Sequence, residues 1–125
     1  VVHTHSPRAT ALSCARRGIP PIHYMITLAG GGRIPCAPHA TFGTEALAEA
    51  AVAALGERLR ACLLANHGAV ALGATLAGAV ALAREVENLA GQYLDLLAAG
   101  LRPVELSEAE LTEAAGRLGE YGRGV

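Results

Sequence analysis

No lysine occurs in this sequence; all ten basic residues are arginines. A Schiff-base mechanism needs a lysine amine, and nothing in this stretch can supply one. Carbon-acid chemistry here has to rely on a metal ion or another electrophile. An excess of charge is also missing. The net charge of −1 argues against nucleic acid or an anionic membrane surface as a partner, because both recruit basic faces. The three cysteines, Cys14, Cys36 and Cys62, form no C-x-x-C pair. An odd count without that spacing fits a reducing compartment, expected to be the cytoplasm, with thiols that are packed or idle. The opening residues do not read as a secretory signal peptide. The uncharged run from Ala69 to Ala83 is too short and too broken by glycine to cross a bilayer.

What is present is a chain of 125 residues, 52% of them hydrophobic, which is one domain or part of one with a packed core. The stretch most informative about chemistry is Val1-Val2-His3-Thr4-His5. Side chains alternate along an extended strand, so His3 and His5 face the same way and can share a metal ion. The same pair can also be satisfied by hydrogen bonds alone. A third histidine, His67, stands in Asn66-His67-Gly68 after the apolar run Cys62-Leu63-Leu64-Ala65. Three protein ligands leave a coordination position open, as catalytic zinc requires. A cupin-type site would need an acidic ligand soon after the second histidine, but Ser6, Pro7, Arg8 and Ala9 follow.

The rest of the chain alternates strand and helix signals. Val1–His5 reads as a strand, and a chain starting inside a strand leads us to expect residues preceding Val1. Ser6-Pro7 opens a helix toward Arg17, ended by Gly18 and Pro20-Pro21. Ile22–Leu28, rich in β-formers, is expected to be a strand. Gly30-Gly31-Gly32 lacks the Lys-Ser/Thr of a phosphate-binding loop and reads as a turn. Arg33–Ala37 is expected to be a short strand. Thr44 caps a helix with Leu47, Ala51, Leu55 and Leu59 on its apolar face. Ala61–Ala65 and Ala69–Leu72 are strands. Thr75 caps a long helix to about Ala98, with Val80, Ala83, Val86, Leu89 or Ala90, and Tyr93 as its buried stripe. Glu85 and Glu87 are read as its solvated face. Ser107 and Glu110 form a capping box for a last helix toward Tyr121. The alternation predicts an α/β protein with one sheet between helices.

Several of these segments together resemble the class II aldolase/adducin family. They are Val1-Val2-His3-Thr4-His5-Ser6, Ile19-Pro20-Pro21-Ile22-His23-Tyr24-Met25, Asn66-His67-Gly68, and Gly31-Gly32-Arg33-Ile34-Pro35-Cys36-Ala37-Pro38-His39-Ala40-Thr41-Phe42-Gly43-Thr44. The last is similar to the L-fuculose-1-phosphate aldolase branch rather than the ribulose-5-phosphate 4-epimerase branch. The resemblance runs through residues 1–125 and implies a three-layer α/β/α domain with a central mixed sheet, lacking its N-terminal segment. It implies zinc held by His3, His5 and His67, and cleavage of a sugar 1-phosphate to dihydroxyacetone phosphate and a hydroxyaldehyde through an enediolate. It implies that Tyr24 and Tyr121 act at the aldehyde end across a subunit interface of a homotetramer, and that Phe42 lines the substrate pocket. The family's glutamate base and phosphate-gripping loops precede the His-x-His strand and have no counterpart in this sequence. His23 and His39 match no ligand spacing. A 4-epimerase or dehydratase on the same scaffold, and a non-catalytic adducin-like interaction domain, remain the rival readings.

Overall fold

The structure is a computed structural model; it describes residues 1–121, and for Tyr121 the backbone only. Four strands, β1 (Val2–Thr4), β2 (Cys36–Ala37), β3 (Ala61–Leu64) and β4 (Gly68–Ala71), form one sheet in the order β1-β4-β3-β2. β4 runs antiparallel to both β1 and β3, while β2 runs parallel to β3, so the sheet is mixed. The helices are α1 (Pro7–Cys14), α2 (Glu45–Leu55), α3 (Leu76–Ala98) and α4 (Glu108–Tyr121), with a 3-10 helix at Tyr24–Ala29.

Side-chain alternation along β3 sorts the core onto two sides. Ala61 and Leu63 join Ala69, Ala71 and the inner faces of α1 and α3, including Leu12, Val86 and Leu89. Cys62 and Leu64 join Ala37 under Leu47, Ala50, Ala51, Ala54 and Leu55 of α2. The sheet is therefore covered on both faces, the three-layer arrangement expected above. Each fully buried Leu, Ile or Val on these faces stabilises the fold by about 1.5–3 kcal/mol. The side carrying α1 and α3 dominates, since Leu12, Ile19, Ile26, Ile34, Leu63, Val86 and Leu89 are all fully buried there.

Capping chemistry fixes the helix starts. The Thr44 and Thr75 hydroxyls accept from the N–H of Leu47 and Gly78. Ser107 and Glu110 exchange reciprocal bonds, Ser107 N–H to Glu110 Oε2 at 2.8 Å and Glu110 N–H to Ser107 Oγ at 3.2 Å.

Four expectations need correction. Ile22–Leu28 is not a strand. His23 Nδ1 accepts the Met25 N–H and the Thr27 hydroxyl donates to the Tyr24 carbonyl, and these local bonds wind Tyr24–Ala29 into a 3-10 helix that ends on left-handed Gly30 (φ 90°). The strand expected over Arg33–Ala37 shrinks to Cys36–Ala37, with Ile34 in a lone antiparallel bridge to Ile19. Helix α1 stops at Cys14 because Arg16, not Gly18, takes the left-handed conformation (φ 55°). The α3 stripe begins one residue earlier than its spacing suggested: Ala79 and Leu82 are buried, while Val86, Leu89 and Ala90 fall as expected.

Candidate functional site

The sheet order explains how distant histidines meet. β1 is antiparallel to β4, pairing His3 with Val70 and Thr4 with Ala69, so the end of β1 lies beside the start of β4. That start is the β3–β4 turn, where His67 sits. Val70 packs on the α2 side of the sheet, and its partner His3 faces that side too, with His5 two residues on. The three rings form a compact triangle. Their centroids are 4.8, 4.8 and 4.9 Å apart, and their ligand nitrogens lie within 4.8 Å of one another.

The turn is built for this placement. Asn66 is left-handed (φ 57°), a conformation asparagine tolerates better than most residues. The His67 N–H closes the turn on the Leu64 carbonyl at 3.0 Å. Gly68 is required by contact: a Cβ there would lie 2.2 Å from the Thr4 carbonyl oxygen and 3.0 Å from His5 Cδ2. Only a residue without a side chain lets β1 and its histidines come this close.

The hydrogen bonds also assign roles to the nitrogens. His3 Nδ1 donates to the Ala69 carbonyl at 2.9 Å, which leaves Nε2 as the bare nitrogen of the neutral ring. That nitrogen is 3.0 Å from His5 Nε2. Two nitrogens ~2.05 Å from one tetrahedral zinc lie roughly 3.3 Å apart, so the pair is near ligand spacing. An imidazole whose outer N–H is anchored on a carbonyl is the usual state of a metal-binding histidine. Burial, followed by the neighbouring His3, His5 and His39, pushes His67 below its ordinary pKa of 6.5. That direction favours the neutral, coordinating form of the ring. The donor set fits a zinc-type ion with a position open to substrate.

The other expected residues lie on separate segments. Tyr24 opens the 3-10 helix, half-exposed, its ring stacked on His23 with centroids 4.6 Å apart. Phe42 is 78% exposed in the loop before α2, a free apolar surface beside the α2 layer. The Tyr121 side chain lies outside the described residues.

Four residues at or near the site have no role assigned by ligand spacing or motif. His39 Nδ1 bonds the Ala65 carbonyl at 3.3 Å, next to the His67 turn. Ser13, fully buried, and Arg16 contact that turn from the end of α1. Glu87, expected to be solvated, is half-buried, and its two carboxylate oxygens accept the N–H groups of Arg8 and Ala9 at 2.7 and 2.9 Å. It caps α1 from α3, because Ser6 makes no side-chain capping bond. The fact that α1 follows directly on the His-x-His segment was the signal available for Glu87 and Ser13, but only the fold shows which residues reach its ends.

Known proteins resemble this chain in sequence and in fold. The Class II Aldolase and Adducin N-terminal domain family matches residues 1–94. The 5-methylthioribulose-1-phosphate/5-deoxyribulose-1-phosphate aldolase of Rhodospirillum rubrum is 47% identical over 114 residues, covering 91% of this chain and 48% of its own. The L-fuculose phosphate aldolase of Escherichia coli strain K12 is 47% identical over 122 residues, covering 98% of this chain and 56% of its own. A solved L-fuculose 1-phosphate aldolase superposes with a TM-score of 0.86 at 39% identity, over 94% of this chain and 54% of its own. The chain spans about half the length of the curated relatives it matches.

Proposed function

The chain belongs to the class II aldolase and adducin family, and from that footing we propose that it carries the metal centre of an aldolase. The reaction proposed is cleavage of a sugar 1-phosphate, L-fuculose 1-phosphate or a similar ketose phosphate, to dihydroxyacetone phosphate and a hydroxyaldehyde. The observation that carries this reading is the triangle of His3, His5 and His67, with His3 anchored through Nδ1 on the Ala69 carbonyl. Bound zinc would supply Lewis-acid polarisation of the substrate oxygens and stabilise the charge that develops as the carbon–carbon bond breaks. The absence of lysine from this stretch is in keeping with that chemistry, since no residue here can form a Schiff base.

The remaining roles are assigned residue by residue. Tyr24, with its phenol exposed, and Tyr121 on the last helix are the groups proposed to hydrogen-bond the departing aldehyde oxygen and return a proton to it. Phe42 is proposed to shield the reacting carbons from water. An exposed Tyr24 and Phe42 suit a site completed by a neighbouring subunit, and a homotetramer is the proposed assembly. The general base and the phosphate grip are assigned to parts of the protein outside this sequence.

The two sets of relatives suggest two substrates. Sequence identity is 47% both to the aldolase named for 5-methylthioribulose 1-phosphate and 5-deoxyribulose 1-phosphate and to one named for L-fuculose phosphate. Cleavage of each of these 1-phosphates, followed by coupled detection of dihydroxyacetone phosphate, separates them. His67→Ala is expected to abolish both stoichiometric zinc and cleavage. Full cleavage by a zinc-free His67→Ala protein would overturn the proposal.

A further inference from the structure

Helix α1 reaches the three histidines from both of its ends. Only Ser6 separates His5 from its first residue, Pro7, so the His-x-His segment runs straight into the helix. Its last turn grips the other half of the site. The Ser13 carbonyl accepts the Asn66 N–H at 3.0 Å. The Ser13 hydroxyl accepts the His67 N–H at 3.3 Å. Arg16 Nε donates to Asn66 Oδ1 at 2.9 Å.

Ser13 has no solvent exposure, and both sides of its hydroxyl are used. Its hydrogen goes to the Thr10 carbonyl at 2.7 Å. A buried serine commonly bonds back to its own helix in this way, which explains the donor. It does not explain why the acceptor side meets the backbone of a metal-ligand candidate 54 residues away.

We propose that the C-terminal end of α1, through Ser13 in its last turn and Arg16 just beyond it, positions His67 for the metal ion; this rests on the metal-centre reading above. Both are positioning residues, since they hold the turn and not the ion. Asn66 has to stay left-handed for His67 to project toward His3 and His5, and the bonds from Ser13 and Arg16 hold it there. Metal ligands have to be kept within about 0.5 Å of their working geometry; the His67 N–H to Leu64 carbonyl bond closes the turn on itself, and Ser13 and Arg16 tie the closed turn to α1.

The test is titration of the metal-free full-length protein with zinc, and with cobalt followed by its d–d absorption, for the parent, Ser13→Ala and Arg16→Leu. Leu89→Ala, in the core on the side of the sheet opposite His3, serves as the control for general destabilisation. Ser13→Ala is expected to weaken zinc binding by about tenfold and to change the cobalt spectrum. Arg16→Leu, which loses an exposed bond, is expected to weaken it about threefold. Leu89→Ala is expected to lower the melting temperature and leave zinc affinity unchanged. Parent-like affinity in both site variants overturns the proposal, as does an equal loss in Leu89→Ala. If Ser13→Ala does not fold, Arg16→Leu decides, because its side chain is exposed. A parent that binds no zinc removes the metal-centre reading and this inference with it. A parent that binds zinc alongside insensitive variants removes the positioning role alone.

Discussion

Replacing Glu87 by glutamine separates two contributions of one carboxylate. Among the first donors of α1, Pro7 has no N–H, and the Arg8 and Ala9 N–H groups both end on Glu87. A glutamine of the same shape keeps one acceptor oxygen but turns an NH2 toward the second donor. The variant thus loses one charge-assisted bond and the favourable charge at a helix N-terminus. Together these are worth about 1.5 kcal/mol, typical of a lost cap. At a urea m-value near 2 kcal/mol per molar, the unfolding midpoint should fall by roughly 0.7 M at neutral pH. The pH dependence is the sharper test. Burial pushes the Glu87 carboxyl up, but bonds from the Ser6 hydroxyl and the Ala9 and Arg8 N–H groups, with the Arg8 charge, outweigh it and hold the pKa below its ordinary 4.5. A depressed folded-state pKa contributes stability that is fully present above the unfolded-state value. That stability is lost as pH falls through the folded-state value. The gap between parent and Glu87→Gln should therefore be constant from neutral pH down to about 5 and close below 4.5. A gap that persists undiminished to pH ~3 would refute the electrostatic account and leave only shape.

Other outcomes follow from specific contacts. Gly68→Ala places a methyl 2.2 Å from the Thr4 carbonyl; β1 must shift, and zinc affinity should drop by about 100-fold with a loss of about 3 kcal/mol of stability. Parent-like zinc binding would show that β1 is not seated by that approach. The Thr10 hydroxyl is buried with no partner among the described residues. Thr10→Val should raise stability by about 1 kcal/mol in urea unfolding, and a loss instead would indicate an unseen partner. Burial, with Cys36 nearby, pushes the Cys62 thiol up to about 11, and burial also raises Cys36 against the Arg16 charge, whereas Cys14 is exposed. A thiol reagent near neutral pH should label Cys14 quickly and Cys62 only on unfolding, and rapid labelling of Cys14→Ser would contradict this.

What could be read from the sequence is what repeats locally. The caps at Thr44, Thr75 and Ser107 and the apolar strand Ala61–Leu64 are patterns of neighbours, and the structure bears them out. Ile22–Leu28 was misread for the same reason. Its β-forming residues set an average preference, but one histidine nitrogen capping Met25 and one threonine hydroxyl decided the local winding. Propensity carries no information about a side chain bonding its own backbone two residues on. The one-residue offset at the start of α3 has a different origin. Helical spacing leaves the phase open where alanines crowd both faces, and packing of α3 onto the sheet and α1 settles it with Ala79 and Leu82 inward.

The candidate site divides along the same line. His3 and His5 share a face by strand geometry alone, and the motif in Asn66-His67-Gly68 marks the third candidate ligand. Their meeting depends on register: β1 has to pair with β4 so that Thr4 lies opposite Ala69. Gly68 enforces that register, since its missing side chain is the space the Thr4 carbonyl occupies. Ser13, Arg16 and Glu87 were hidden because their contacts span 54, 50 and 79 residues of chain, with no periodicity connecting them. The candidate ligands are thus written locally, while the residues proposed to aim them are written only in the packing of α1 against α3, β4 and the β3–β4 turn. A substitution that spares all three histidines can therefore still disarm the site. Loss of metal in variants of α1 is the place where that difference should be measured.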